Sequence, residues 1–341
     1  MTYGIKALRK LQFGRESTAG SIAAATTVWR GEGTIEDARV VEFPVEDIGV
    51  ITATTRAYQP ALAAKLALTP TPASYEQLPH IFEMGIKTVT GASSTGSDYA
   101  YTYTLPVSTS MYLTPSTSSV PIKSYTIEGG DNNEAEVMEF SHCTDFELSF
   151  KAGEALMMSA NIMGRQVALQ AFTSAQSAPT VSEILASKAK LYIDAVGGTI
   201  GTTQITNELL SGSIKVKTGI KAVQTADGNL YFSFIKGVRP EITWDLVFEH
   251  STFAKAEKVY WRAGTSRQFQ LNFTGPALSS TGTTYSTKKL ICNMAGTYEK
   301  FSALSDDDGD DIITATIRGG YNTTAALFAN FVVVNELSAI P

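Results

Sequence analysis

Apolar side chains at every second position mark most of the regular structure in this chain. Ile242, Trp244, Leu246 and Phe248 alternate with polar or opposite-facing partners, the period of a strand with one buried face. The period then changes. From 251 to 264, Phe253, Ala256, Glu257 and Tyr260 recur at helical spacing and the segment ends on Gly264, which predicts one short helix. Alternation returns at Phe269, Leu271 and Phe273. The same plan stands earlier in the chain. Leu62, Ala64, Leu66 and Leu68 alternate, the spacing of Ser74 and Gln77 predicts a capped helix, and Tyr99, Tyr101, Tyr103 and Leu105 alternate again. Pro79 falls inside that helix and bears on its length. Strand, helix, strand once in each half predicts a duplicated β module.

Around these repeats, residues 14–39 are rich in Gly, Ala, Ser and Thr with a single large aromatic, Trp29, and read as a long arm or loop. Residues 91–98 and 108–119 read as low-complexity loops. Phe146, Leu148 and Phe150, then Leu156, Met158, Ala160 and Ile162, alternate as strands. Residues 173–180 have linker composition, so two modules are expected, 1–178 and 179–341. The second opens on Leu191 and Ile193 and continues through Ile214 and Val216 to a hairpin signal at Asp227 and Gly228. It closes on Ile313, Ala315 and Ile317, a turn at Gly319 and Gly320, and a strand over 328–334. The predicted class is all-β with minor α: two tandem β-sandwich modules, each with one short flanking helix and long loops.

A length of 341 residues suits two modules, each able to bury a core. The formal net charge of −6 argues against a surface that grips nucleic acid by its phosphates, while leaving room for one past which nucleic acid slides. Cys143 and Cys292 are too few for a disulfide framework and read as reduced core residues. The opening MTYGIKALRK is basic but has no apolar run behind it, so no secretory signal is expected. The apolar stretch 325–334 is short for a membrane span, and synthesis in the cytoplasm is the expectation. On that reading the sequons at Asn272 and Asn322 carry no meaning.

No catalytic constellation stands out, and neither an enzymatic activity nor a cofactor is expected. Phosphate-cradling glycine loops and the GxSxG elbow are missing from the sequence. His80, His142 and His250 lie far apart, and the neighbours His142 and Cys143 would point to opposite faces of a strand. Asp306, Asp307, Asp308, Gly309, Asp310 and Asp311 suggest a calcium loop, but Leu304 and Ala315 stand where that loop needs an acid and a Glu. A solvated hairpin is the simpler reading. Glu134, Glu136, Glu139, Asp145 and Glu147 fall on or beside strands and could line a shared surface.

Several passages together resemble the tail tube (major tail) proteins of long-tailed bacteriophages. They are GRESTAGSIAAATT, SYTIEGGDNNEAEVMEF with its following MGRQ, the run from KAKLYIDAVGG to TADG, the WDLVFEH, YWRAG and QFQLNFTG passage, AGTYEKF, and GDDIITATIRGGYN. The resemblance implies a β-sandwich module with one helix, and rings of six modules stacked into a tube in the virion. With two modules per chain, three chains would complete a pseudo-sixfold ring through which DNA passes without specific binding. A tape measure protein and a tail terminator or distal tail protein are the further partners it implies, with no membrane partner and assembly in the host cytoplasm. Under this reading Glu134, Glu136, Glu139, Asp145 and Glu147 are candidates for the channel wall, of which only part can point inward because strand neighbours alternate faces, and Arg15, Glu16, Trp29 and Arg30 are candidates for contacts between rings. A virion decoration or fibre-type protein that binds a host surface is the alternative.

Overall fold

Two strands in the computed structural model far exceed the usual length, Ala135–Lys151 and Thr287–Phe301. The structure describes residues 3–51, 55–107, 112–113 and 122–341. The first half of Ala135–Lys151 pairs with Tyr125–Gly130 and Val167–Leu169, and its second half with Met157–Gly164 and Leu209–Lys217. Partners change where Phe140 takes a left-handed backbone (φ 52°) and the register slips between Met138 and Ser141. A bulge of this kind lets one strand turn from one sheet into another. Thr287–Phe301 divides in the same way. Its first half lies between Arg267–Ala277 and Ala329–Asn335, and its second half runs beside Asp310–Gly319.

The second halves of these strands belong to one long antiparallel sheet. Its order is Gly33–Asp37, Ala64–Pro72, Met157–Gly164, the end of Ala135–Lys151, Leu209–Lys217, Glu241–Glu249, Asp310–Gly319 and the end of Thr287–Phe301. The last four strands repeat the first four. A bulge between Cys143 and Asp145 in the first set matches one between Tyr298 and Lys300 in the second. Gly164 and Gly319 stand at matching places, and a helix follows the second strand of each set. The fold is therefore all-β with minor α, with two α-helices among the described residues. Neither of them is long and apolar enough to cross a membrane.

Alternation along each strand decides what is buried. Ile242, Trp244, Leu246 and Phe248 face a core shared with Phe269, Leu271, Phe273, Ile313, Ala315 and Ile317, while their neighbours form the opposite, polar face. The helix Thr252–Arg262 starts at Ser251, whose Oγ accepts from the Phe253 and Ala254 amides at 3.1 and 3.4 Å. Ala254 and Glu257 turn inward. Tyr260, expected on the same face, instead stands at the surface with the Arg267 guanidinium 4.0 Å from its ring centre. The other helix begins at Leu78, later than the Ser74 spacing suggests, which places Pro79 in the first turn where no amide is needed. All eight of its residues are buried.

Residues 14–39 are not a free arm. Lys10–Arg15 pairs along its whole length with Tyr125–Gly130, Thr27–Val28 folds back onto it, and Trp29 stacks on Phe13 with ring centres 5.0 Å apart. The small side chains make this possible: a Cβ at Gly14 would lie 2.5 Å from the Ala24 carbonyl oxygen. Residues 91–98 are ordered around Asp98, whose carboxylate accepts from Ser93 Oγ and the Ser94 amide. The linker-like residues 173–180 are tied down at Thr173, which donates its amide and hydroxyl to Glu128 at 2.7 and 2.5 Å. Of residues 108–119, only the backbone of 112–113 lies within the described part. Cys143 and Cys292 are free and buried, as read from the sequence.

His80 and His142 are wholly buried, and desolvation holds both at about 3. Their folded pKa lies below the unfolded value near 6.5, so between those limits the unfolded chain binds more protons and stability falls as pH falls. Each histidine should cost about 1–2 kcal/mol between pH 7 and pH 5. Urea unfolding at the two pH values should show this drop, and His142→Phe should roughly halve it. A drop of the same size in both proteins would contradict the assignment.

Candidate assembly surface

The polar face of the long sheet is a mixed field of charge. Lys215 Nζ lies 3.1 Å from Asp245 and 3.9 Å from Glu147, and Glu241 pairs with Lys217 and Arg318, each at 3.6 Å. Asp245 also accepts from Thr316 Oγ1 at 2.7 Å. The face is concave around Asp145, Glu147, Asn161, Lys215 and Lys217, enclosing a depression of about 800 Å³. Each basic side chain in these pairs sits beside a carboxylate. Arg239, exposed at the edge of the same depression, makes no ion pair among the described residues, so the charge of the face is compensated only in part.

The five carboxylates expected on a channel wall do not share one surface. Asp145 and Glu147 lie on this concave face. Glu136 and Glu139 belong to the other half of the same strand, and Glu134 is exposed in the turn before it. Glu139 is half-buried, 3.9 Å from Arg165, and accepts from Gln166. The bend at Phe140 separates the set, and period-two alternation within one strand does not register such a change of sheet.

The candidates for contacts between rings are mostly turned inward. Arg15 makes a two-pronged ion pair with Glu83 (2.9 and 2.7 Å), and Glu83 also accepts from Tyr125 OH at 2.7 Å. Tyr125 OH in turn lies 3.2 Å from His80 Nδ1. Glu16 is buried and accepts from the Phe140 and Gly20 amides at 2.8 and 2.7 Å, pinning the bend of the long strand. Trp29 is buried too. Of the four, Arg30 is exposed, with its Nε donating to the Pro179 carbonyl at 2.6 Å. A buried side chain has no surface to give a neighbouring ring. Glu16 and Glu83 show no sequence signal as structural acids, because the Phe140 amide and the Arg15 guanidinium they hold are 124 and 68 residues away.

The two ends of the long sheet carry the chemistry that is left. Among the described residues, Gly33–Asp37 pairs with one strand, Ala64–Pro72, and the stretch 297–301 pairs with one strand, Asp310–Gly319. Each therefore presents a row of backbone N–H and C=O groups to the outside, the pattern that accepts an added strand. Inside the chain, the equivalent pair of edges is already joined. Asp145 stands opposite Lys217, Phe146 opposite Val216 and Glu147 opposite Lys215, and the Thr144 carbonyl accepts from the Thr218 amide at 3.0 Å. At the free end, the matching carbonyl of Glu299 accepts from Trp261 Nε1 at 3.3 Å.

No protein-family model and no curated protein matches the chain. Among the described residues, no group of three or more His, Cys, Asp or Glu side chains is placed to hold a metal ion. The acidic run is a hairpin in which Ser305–Asp307 pairs with the start of Asp310–Gly319, and the Asp306 carboxylate caps the Gly309 amide at 3.0 Å.

Removing Arg15 would leave the Glu83 carboxylate buried beside neutral partners. Arg15→Met should lower the stability of the isolated chain by about 3 kcal/mol, seen as an earlier urea midpoint. A midpoint unchanged from wild type would show that Arg15 is free for some external contact.

Proposed function

We propose that the chain is a structural subunit that polymerises edge to edge into rings, stacked as the tail tube of a long-tailed bacteriophage with DNA passing along the concave face. The observation that carries this reading is the internal junction. A four-strand set occurs twice, its last strand already pairs with the first strand of the next set, and the two edges left over are again a last strand and a first strand. Repetition of the same junction between copies closes into a ring when the curvature allows. Three copies supply the six sets that a pseudo-sixfold ring needs. An interface of this kind buries on the order of 2,000 Å² or more. The ion pairs at the centre of the concave face, Lys215 with Asp245 and Glu241 with Lys217 and Arg318, support passage of DNA without tight retention.

The internal junction also supplies a register. Glu299 matches Thr144 at the bulge, and Ile35 opposite Leu66 matches Ile214 opposite Trp244. Carried over, Lys300 stands opposite Ala38 and Ser302 opposite Glu36, so that Lys300 and Glu36 are diagonal neighbours on the polar face. The signs are reversed relative to the inner junction, where Asp145 and Glu147 face Lys217 and Lys215.

Lys300 and Glu36 are both exposed in the chain, so reversing either charge should leave the fold intact. Lys300→Glu or Glu36→Lys alone should raise the concentration for assembly at least tenfold, read by analytical ultracentrifugation and negative-stain microscopy. Together they should restore it. Wild-type protein that stays monomeric at every concentration would overturn the reading, whereas single variants that assemble normally would overturn the register.

A further inference from the structure

A hairpin follows the first strand of each four-strand set, and the two hairpins meet different fates. In the second set, Ile220–Val223 pairs with Phe234–Gly237 and folds back onto the first set. Ile220, Phe232 and Ile235 are buried there with Ala19, Ile122 and Phe140. Phe232 stacks on Phe140 with ring centres 5.3 Å apart, and the Arg165 guanidinium lies 4.5 Å from the Phe140 ring and 4.8 Å from that of Tyr231. The Leu62 amide donates to the Leu230 carbonyl at 2.8 Å. This hairpin is part of the seam that joins the two sets.

The counterpart in the first set, Val40–Glu42 paired with Tyr58–Ala61, has no such seat. Val41, Phe43 and Val45, two residues apart, are 42%, 64% and 85% exposed, and Ile48 and Val50 beyond them are about half exposed. A cluster of exposed apolar side chains on one projecting hairpin is unusual for a surface that meets only water. A matching seat exists at the far end of the chain. The bulge match that sets Glu299 against Thr144 also sets Arg318, Gly319 and Gly320 against Met163, Gly164 and Arg165, and Ala295 against Phe140. Two large side chains of the occupied seat, Phe140 and Arg165, are thus replaced by Ala295 and Gly320. Here the surface is open, a pocket of about 480 Å³ lined by Val238, Arg239, Pro240, Arg318, Gly320 and Tyr321 among others. The charges complement one another in part: Arg239 lines the pocket beside the Arg318–Glu241 ion pair, and Glu42 and Asp47 lie on the hairpin limb with Glu46, which pairs with Arg56 at 2.7 Å.

We propose that this pocket is a socket for residues 40–50 of a second copy of the chain, with Val41, Phe43 and Val45 seated in it as Ile220 and Phe232 are seated on the first set. The inference rests on the ring reading. It adds a second, apolar contact to the strand pairing, one that lies off the sheet edge and tells the correct neighbour from any other exposed strand.

Three variants of the full chain test it. Phe43→Asp places a charge at the exposed tip of the row, and Gly320→Trp fills the socket from a position where an added Cβ would meet nothing within 4 Å. Both should keep the wild-type circular dichroism and urea midpoint while raising the concentration for assembly at least tenfold. In the third, Phe43→Cys with Tyr321→Cys, a short bis-maleimide should link separate chains into a ladder, since the native Cys143 and Cys292 are buried. If wild-type rings form but the first two variants assemble at the wild-type concentration and the third gives no ladder, the socket proposal is overturned and the ring reading stands. A wild-type chain that never associates overturns both.

Discussion

The hydrogen bonds at the edge of a β-sheet govern this molecule. A strand in the interior of a sheet satisfies its N–H and C=O groups on both sides, and the first and last strands do not. This chain joins one such pair of edges internally, where residues 145–151 meet 211–217, and leaves an equivalent pair open at Gly33–Asp37 and the stretch that begins at Lys300. The exposed hairpin and the empty pocket sit beside those open ends, as the buried hairpin and its seat sit beside the closed one. Backbone pairing supplies attraction that any strand could meet. In the proposed ring, selection of the partner falls to side chains at the seam, Lys300 and Glu36 on the sheet and Phe43 at the pocket.

Holding the long strands at their bends falls to buried acids. Glu16 accepts the Phe140 amide where the first long strand changes sheet, and Glu83 gathers Arg15 and Tyr125 beneath it. Glu257, at the second helix, accepts from Tyr298 OH at 2.8 Å and pairs with Arg267 at 3.4 Å, and burial pushes its carboxyl up. Buried charges so partnered are costly to disrupt on one side only. They fix the position of the two bends, and therefore the direction of the edges that the bends present.

Strand periodicity was the most legible feature of the sequence, because one-sided burial writes itself into alternate residues. Ile242 to Phe248, Phe269 to Phe273, and Ile313 to Ile317 stand on the strands expected of them, and the helix between the first two starts at the serine that caps it. Residues 14–39 read locally as a long arm or loop; they are packed, with loop between short strands. The strand that opens them, Lys10–Arg15, pairs with a partner more than a hundred residues away, and their glycines and alanines, which suggest a loop locally, are what close backbone approach requires. Trp29 and Glu16 were misplaced with them. Alternation already allows only part of the carboxylate set on one face, and the bend at Phe140 further assigns the two halves of that strand to different sheets. Strand-rich modules imply free edges, but which strands form them was not legible, since an edge is defined by an absent neighbour.

Electron cryomicroscopy of the assembled wild-type protein, at a resolution that separates strands, is the most direct test of the central claim. The account predicts one continuous sheet around each ring, with residues 300–304 of one chain antiparallel to residues 34–38 of the next and the concave polar face turned to the lumen. Rings held by other surfaces, with both edges still facing solvent, would contradict it.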